Sequence, residues 1–270
     1  MQFFKIHAKP SRNAGLILSA LLFVLSFAGY GLTSYVRHKE NPKDKVVPTY
    51  SEIWDGFQRS ALEADRKGDV RLWVDTWASL KRFLISLALL SFAVLLGLHM
   101  GLYPYVDHLF HRFLLFFDKI PALALLPILF IAFGLEEVSK IALILLGVFP
   151  TIALDTYLRA KAIPSEQIMK GFTLGASDLE VAYRVVLPQI LPGVLDTIRL
   201  NFKSMILFLI AGESLAATAG LGYRIFVVRR YIAMDIIIPY VIWMALLAFT
   251  ADLALRWWIQ KRYRWMEKPP

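Results

Sequence analysis

Two histidines, His108 and His111, stand three residues apart with Asp107 beside them, a spacing that could turn two imidazoles and a carboxylate toward one metal ion. No further histidine cluster backs them, so histidines of no special role at the edge of an apolar run are the stronger reading. No stretch fits G-x-x-x-x-G-K-S/T, H-E-x-x-H or G-x-S-x-G: there is no phosphate-cradling loop, zinc-protease helix or nucleophile elbow. The chain has no cysteine, which excludes disulfides, thiolate metal sites and cysteine nucleophiles. What remains is ionisable chemistry within apolar sequence. Arg199 follows Asp196 by three residues and Lys203 follows Arg199 by four, so one face of a helix carries all three. Glu213 lies ten residues further on, about 15 Å along a helix axis. Charges within membrane spans are costly and mark functional sites by default. Asp252 and Arg256, four apart, read as a structural pair.

The elements that hold these residues belong to a bilayer. Of the 270 residues, 57% are hydrophobic and 19% charged, against roughly 45–50% and 25% in soluble domains. The apolar residues are gathered into runs near the ~20 residues needed to cross hydrocarbon. Six spans are expected, at 14–36, 83–103, 109–133, 138–158, 193–217 and 236–258. The first run is too long for the core of a cleaved signal peptide and reads as a retained span. An even number of spans puts both termini on one side. Lys5, Lys9 and Arg12, with Arg256, Lys261, Arg262, Arg264 and Lys268, assign that side to the cytoplasm. Trp257, Trp258, Tyr263 and Trp265 form an aromatic anchor there. The net charge of +9 is explained by such flanking residues meeting anionic lipid, so no nucleic-acid partner is expected.

Residues 37–82 weaken the charge argument, because this outer segment holds ten Lys/Arg against eight acids. Within it, Pro48-Thr49-Tyr50-Ser51-Glu52 can start a helix with Ser51 as cap, and Leu72–Trp77 forms a second stretch; both are expected on the outer interface. The third span is unusual, with Asp118-Lys119 followed by Pro121 and Pro127. Each proline removes an intrahelical donor and bends the chain. Either the span is a broken helix at membrane depth, or it begins near Ile120 with the charged pair at its cytoplasmic edge. The organisation expected is a cytoplasmic N-terminus and first span (1–36), an extracytoplasmic segment (37–82), a core (83–258) containing a polar loop (161–192), and a cytoplasmic tail (259–270).

That loop carries the strongest pattern. Residues 163–178 and 179–187 read as two short amphipathic helices. Gly175 permits the turn between them because glycine takes positive φ cheaply, and Leu187-Pro188 is expected to end the second. Gly175 is followed by nine residues and then Val185-Val186-Leu187-Pro188. This spacing resembles the docking loop of ABC-importer permeases, Gly, nine residues, then Ile/Val-x-Leu-Pro. Further matches run in order: Ile120–Pro127, Phe133-Gly134 with Ser139-Lys140, Leu174–Ser177, Leu191-Pro192-Gly193, Ala211-Gly212-Glu213 and Gly220–Tyr223. From about residue 48 onward the chain resembles the nitrate/sulfonate/taurine/bicarbonate group of binding-protein-dependent permeases. One departure is plain: Met169-Lys170-Gly171 stands where the family has Glu-Ala-Ala.

The resemblance implies an all-α integral membrane protein of the type I importer kind, with about six transmembrane helices and a cytoplasmic coupling loop, in the bacterial inner membrane. It implies a transport subunit, not an enzyme, passing a small anionic or zwitterionic solute. The partners implied are ABC ATPase subunits, an extracytoplasmic solute-binding protein and a second permease copy. ATP and magnesium would be bound by the ATPase subunits and no cofactor by this chain. Met169, Phe172, Gly175, Ala176, Ser177, Val185, Leu187 and Pro188 would form the coupling site. From the in-span charges themselves, Arg199 and Lys203 would give a positive field along the path and Glu213 would shape its outer gate, with Pro121 and Pro127 bordering it. A second reading of these charges pairs Asp196 with Arg199 near the cytoplasmic end and leaves Lys203 snorkelling. The alternative is a polytopic scaffold or sensor that docks a cytoplasmic signalling protein and transports nothing.

Overall fold

The computed structural model describes residues 11–42, 44–65 and 68–266. Lys5, Lys9 and Lys268, which carry part of the orientation argument, lie outside them. Named in chain order, the helices are α1 (Arg12–Glu40), α2 (Tyr50–Ala61), α3 (Arg71–Leu102), α4 (Pro104–Asp118), α5 (Leu126–Phe133), α6 (Glu137–Lys161), α7 (Ser165–Thr173), α8 (Asp178–Leu200), α9 (Phe202–Ala216), α10 (Leu221–Arg229) and α11 (Met234–Arg262). No strand is formed among the described residues. Five helices, α1, α3, α6, α8 and α11, are long and apolar enough to cross a membrane. The α4–α5 pair, bent by 89°, makes a sixth crossing if it counts as one span.

The centre of the bundle is α3 against α6, with α8 and α9 completing a core that includes Leu90, Leu98, Ile144, Val148, Ile152, Val186, Val194 and Met205. Small residues set the spacing. A Cβ at Gly97 would run into the Ala153 carbonyl, and one at Gly101 would meet Ala160. Such close backbone approach is how helices bind each other where lipid removes the hydrophobic drive. In contrast, α1 stands apart from the core, its apolar window wholly unburied. It is tied to the α2 region by Tyr30 Oη donating to the Pro48 carbonyl (2.7 Å) and by the Arg37–Asp44 ion pair (2.5 Å).

Several expectations are corrected. Thr49, not Ser51, caps α2: its hydroxyl accepts from the Glu52 N–H, and Glu52 accepts from the Thr49 N–H in a capping box. The Thr49 N–H bond, opposed by slight burial, holds the Glu52 carboxyl below its ordinary pKa. Leu72–Trp77 is not a separate interfacial helix but the first turns of α3, which starts twelve residues before the expected 83. The expected 193–217 span is two helices with a break at Asn201. The membrane-long one begins back at Asp178.

The second coupling helix does not stop at Leu187-Pro188. The chain runs on within α8 through a π-helical stretch, Val181–Val186. The wider turn accommodates Pro188, which has no N–H to give, and the Gln189 side chain donates to the Val185 carbonyl (2.7 Å). Pro127 does not bend a helix either, because it sits in the first turn of α5, where no donor is needed. The break in the third span lies at 119–121. Asp118 accepts from the Thr151 hydroxyl (2.9 Å), and Thr151 is ten residues, about 15 Å, from the Lys161 end of α6. Asp118 therefore packs beside the middle part of α6 and not at its end.

Candidate functional site

Two polar regions lie at opposite ends of the bundle. At one end, Glu213 on α9 is fully buried. Its oxygens accept from the Ser79 hydroxyl (2.7 Å), Arg82 Nη1 (2.6 Å) and the Gly222 N–H (2.8 Å). Arg82 also clamps Glu137 with two bonds, 2.6 and 2.8 Å, and donates to the Ala219 carbonyl. Lys140, buried itself, reaches Glu137 at 3.1 Å. Asp75, fully buried, takes the Gly220 N–H (3.0 Å), Arg224 Nε (2.8 Å) and the Tyr240 hydroxyl (3.1 Å). Burial works against the Arg224 charge, but the Asp75 contact outweighs it and keeps its pKa above the ordinary value. Three carboxylates and three cations balance within one cluster that joins α3, α6, α9, α10 and α11. Gly220 takes φ +143°, and a Cβ there would stand 2.5 Å from the Glu213 carboxyl carbon.

At the other end, α7 closes on Gly175 at φ +85°. The Ala176 N–H reaches back to the Gly171 carbonyl (3.1 Å) and the Gly175 N–H to that of Phe172 (2.9 Å), a Schellman stop. Two residues on, Ser177 caps α8: its hydroxyl accepts from the Glu180 N–H and the Glu180 carboxylate accepts from the Ser177 N–H (3.1 Å). A helix stop and a helix start abut, which makes a stiff corner. Its outer surface is apolar, with Met169, Phe172, Leu174 and Leu179 all exposed, Leu174 at 88%. Ala176, Val185 and Leu187 turn the other way and pack on the core. Gly171, where the family pattern has alanine, is buried against the Val181 methyl. The Tyr183 hydroxyl meets His99 Nε2 (3.3 Å), with Tyr103 stacked on the same ring, which links the corner to the end of α3.

The in-span charges have separate fates. Arg199 is held by Asp196 (2.8 Å) and Asp252 (2.7 Å), so two carboxylates cancel the positive field expected from it. This also corrects the partner of Asp252, which binds Arg199 across helices. Lys203 is exposed, and with Arg199 and Asp252 it borders an open hollow of about 440 Å³. Glu213 presents no surface to any path. Pro121 and Pro127 are both exposed at the α4–α5 bend. The histidine pair does not converge. His108 Nδ1 turns to the Pro104 carbonyl (2.7 Å) and His111 lies beside Asp107 and the Tyr157 ring, while Tyr157 and Lys161 both bond Asp107.

Sequence reasoning missed most of the Glu213 cluster, because Asp75, Ser79, Arg82, Glu137 and Arg224 are brought together only by the fold. It also missed the Ser177–Glu180 capping box, which the S-x-x-E spacing displays.

Residues 90–264, well over half of the chain, match the family model described as binding-protein-dependent transport system inner membrane component. The taurine transport system permease protein TauC of Escherichia coli is 34% identical over 70% of this chain and 69% of its own. A putative aliphatic sulfonates transport permease protein, SsuC of Bacillus subtilis, is 25% identical over 96% of this chain and 92% of its own. In fold, the chain resembles a chain of the MetNI methionine ABC transporter in its inward-facing conformations. That likeness has a TM-score of 0.57 at 21% identity, covering 70% of this chain and 95% of that one.

Proposed function

The chain belongs to the family of binding-protein-dependent inner-membrane transport components, and from that premise we propose that it passes a small sulfonate-like anion or zwitterion across the membrane. It is the permease component of an ABC importer, a multi-pass inner-membrane protein. The non-transport scaffold or sensor reading finds no support among the relatives. TauC and SsuC are named for taurine and aliphatic sulfonates, solutes that share a sulfonate group, and this supports the solute class.

In this reading two copies of the chain form the path, an extracytoplasmic binding protein delivers solute, and two separate ATPase subunits bind ATP and magnesium. The corner at Gly175 faces the cytoplasm with both chain termini, and the Glu213 cluster lies at the outer end. The single observation that carries the coupling role is the exposed apolar surface of Met169, Phe172, Leu174 and Leu179 on a corner braced from both sides. Such a surface suits a groove on another protein. Gly175 and Ser177 shape the corner, while Ala176, Val185, Leu187 and Pro188 transmit its motion into α8. ATP drives the change only by binding one conformation of the assembly better than the other. Lys203 is placed on the path, with Arg199 and Glu213 holding its walls.

The test is reconstitution of the chain in proteoliposomes with a co-expressed ATPase and binding protein. ATP-dependent uptake of labelled taurine or ethanesulfonate is expected. ATP hydrolysis indifferent to both this chain and the binding protein would contradict the reading.

A further inference from the structure

The break between α4 and α5 places a lysine where lipid does not tolerate one. Lys119 follows Asp118 at the end of α4, and its side chain is 77% exposed while that of Asp118 is 22% exposed. Asp118 turns inward, with one oxygen on the Thr151 hydroxyl (2.9 Å) and the other on Lys119 Nζ (3.0 Å). Thr151 fixes the depth of the pair. It lies fourteen residues from the start of α6 and ten from its end, about 21 and 15 Å along the axis. An ammonium exposed near the middle of a bilayer is strongly disfavoured against hydrocarbon.

The backbone leads independently to the same place. The chain turns by 89° here, and Pro121, Leu123 and Ala124 next to the turn are exposed. Irregular backbone at membrane depth occurs where protein covers it or where it lines water, and not against lipid. An exposed break can be covered by protein or by water, but an exposed ammonium beside it favours water, as on a path shared with a second copy.

Three cations within the apolar stretches of the long helices are engaged differently. Arg82 and Lys140 are buried on carboxylates, and Arg199 is mostly buried between two. Lys119 instead points its ammonium outward from a single adjacent carboxylate. An ammonium has three donors, and Asp118 occupies one.

We propose that Lys119 lines the translocation path at the α4–α5 break and donates to the anionic group of the passing solute, with Asp118 and Thr151 as its mount. In a two-copy assembly the partner copy presents the same lysine to the same path. Asp118 keeps the resting site near neutral, so the solute is met without being trapped. The anionic character of the solute rests on the function proposed above; the position of Lys119 on the aqueous path does not.

The absence of cysteine from the chain allows a direct test in the assembled complex with its ATPase and binding protein. Ala124→Cys, beside the bend, is treated with anionic sulfonatoethyl methanethiosulfonate and with its cationic trimethylammonioethyl analogue. Leu22→Cys on α1 serves as a membrane-facing reference. Position 124 should react and position 22 should not, with the anionic reagent favoured about tenfold by the nearby positive field. Adding Lys119→Gln should bring the two rates together, whereas Lys119→Arg should keep the preference. If position 124 is unreactive both without nucleotide and with ATP and binding protein present, or if the preference survives Lys119→Gln, the proposal is overturned.

In the transport arm, Lys119→Gln should lower taurine uptake about tenfold, the loss of one charge-assisted contact. Binding-protein-stimulated ATP hydrolysis should continue. Normal uptake by Lys119→Gln would overturn the contact with solute. If the unmodified complex moves neither taurine nor ethanesulfonate, the solute class falls, while the reactivity ratio still decides where Lys119 stands.

Discussion

The Glu213 cluster and the Gly175 corner are both polar interruptions of an apolar chain, yet they are built on opposite terms. In the cluster, three acids and three cations are packed between five helices, and Glu213 and Asp75 keep no exposed surface. Of the cluster's carboxylates only Glu137 keeps surface, its side chain about half exposed, while Glu213, Asp75, Arg82 and Lys140 leave nothing for a partner. At the corner, the polar groups satisfy one another locally through a Schellman stop and a capping box, and the large apolar side chains are what remain exposed. The first arrangement fixes helices relative to one another. The second holds a rigid, greasy knob clear of the bundle. A transporter driven from one end needs both: walls that move as units, and a handle whose surface is not already committed.

This contrast makes an order of effects, largest first. Arg82→Met leaves Glu213 and Glu137 without their shared cation, and breaking a buried ion pair from one side costs about 3–5 kcal/mol. Thermal unfolding of the purified complex should show that loss, and a shift of only a degree or two would mean that the cluster is looser than its geometry. Gly220→Ala forces a side chain into positive φ against the Glu213 carboxylate, with an expected cost of about 1–3 kcal/mol in the same assay. Gly175→Ala meets the φ penalty but open space, so about 1 kcal/mol is expected. Ser177→Ala removes one cap bond, about 0.5–1 kcal/mol, seen as faster amide exchange in the first turn of α8. Phe172→Asp should change stability by less than about 0.5 kcal/mol, as an exposed site does. It should nevertheless uncouple ATP hydrolysis from the binding protein, and a substantial fall in unfolding temperature would show that the residue packs inward.

How much of this could be read beforehand follows from the range of each interaction. The corner was legible because its determinants are local: Gly175, the nine-residue interval and Pro188 are consecutive facts of one segment. Even so, the expected stop at Pro188 was wrong, because a π turn lets the chain run on, and π turns leave no composition signature. The cluster was largely illegible. Arg82 and Glu213 are 131 positions apart, and Asp75 and Arg224 are 149. A single sequence shows only isolated charges near apolar runs, and pairing them needs the fold. Arg199 illustrates the same limit. Its neighbour Asp196 was visible on the helix face, but Asp252, on a different helix, is what neutralises it. The break at Pro121 is one of two readings of the sequence, and the Thr151 contact that sets Asp118 against the middle part of α6 favours it.

The central claim is that the corner around Gly175 is gripped by a separate ATPase. Ser177→Cys in the otherwise cysteine-free chain, paired with single cysteines along the groove of the co-expressed ATPase, tests it in membranes. A disulfide cross-link whose yield changes between nucleotide-free and ATP-bound states, and which disappears when residues 166–187 are deleted, is the result the account predicts. An assembled, ATP-hydrolysing complex in which no groove position cross-links to Ser177→Cys in any nucleotide state would contradict it.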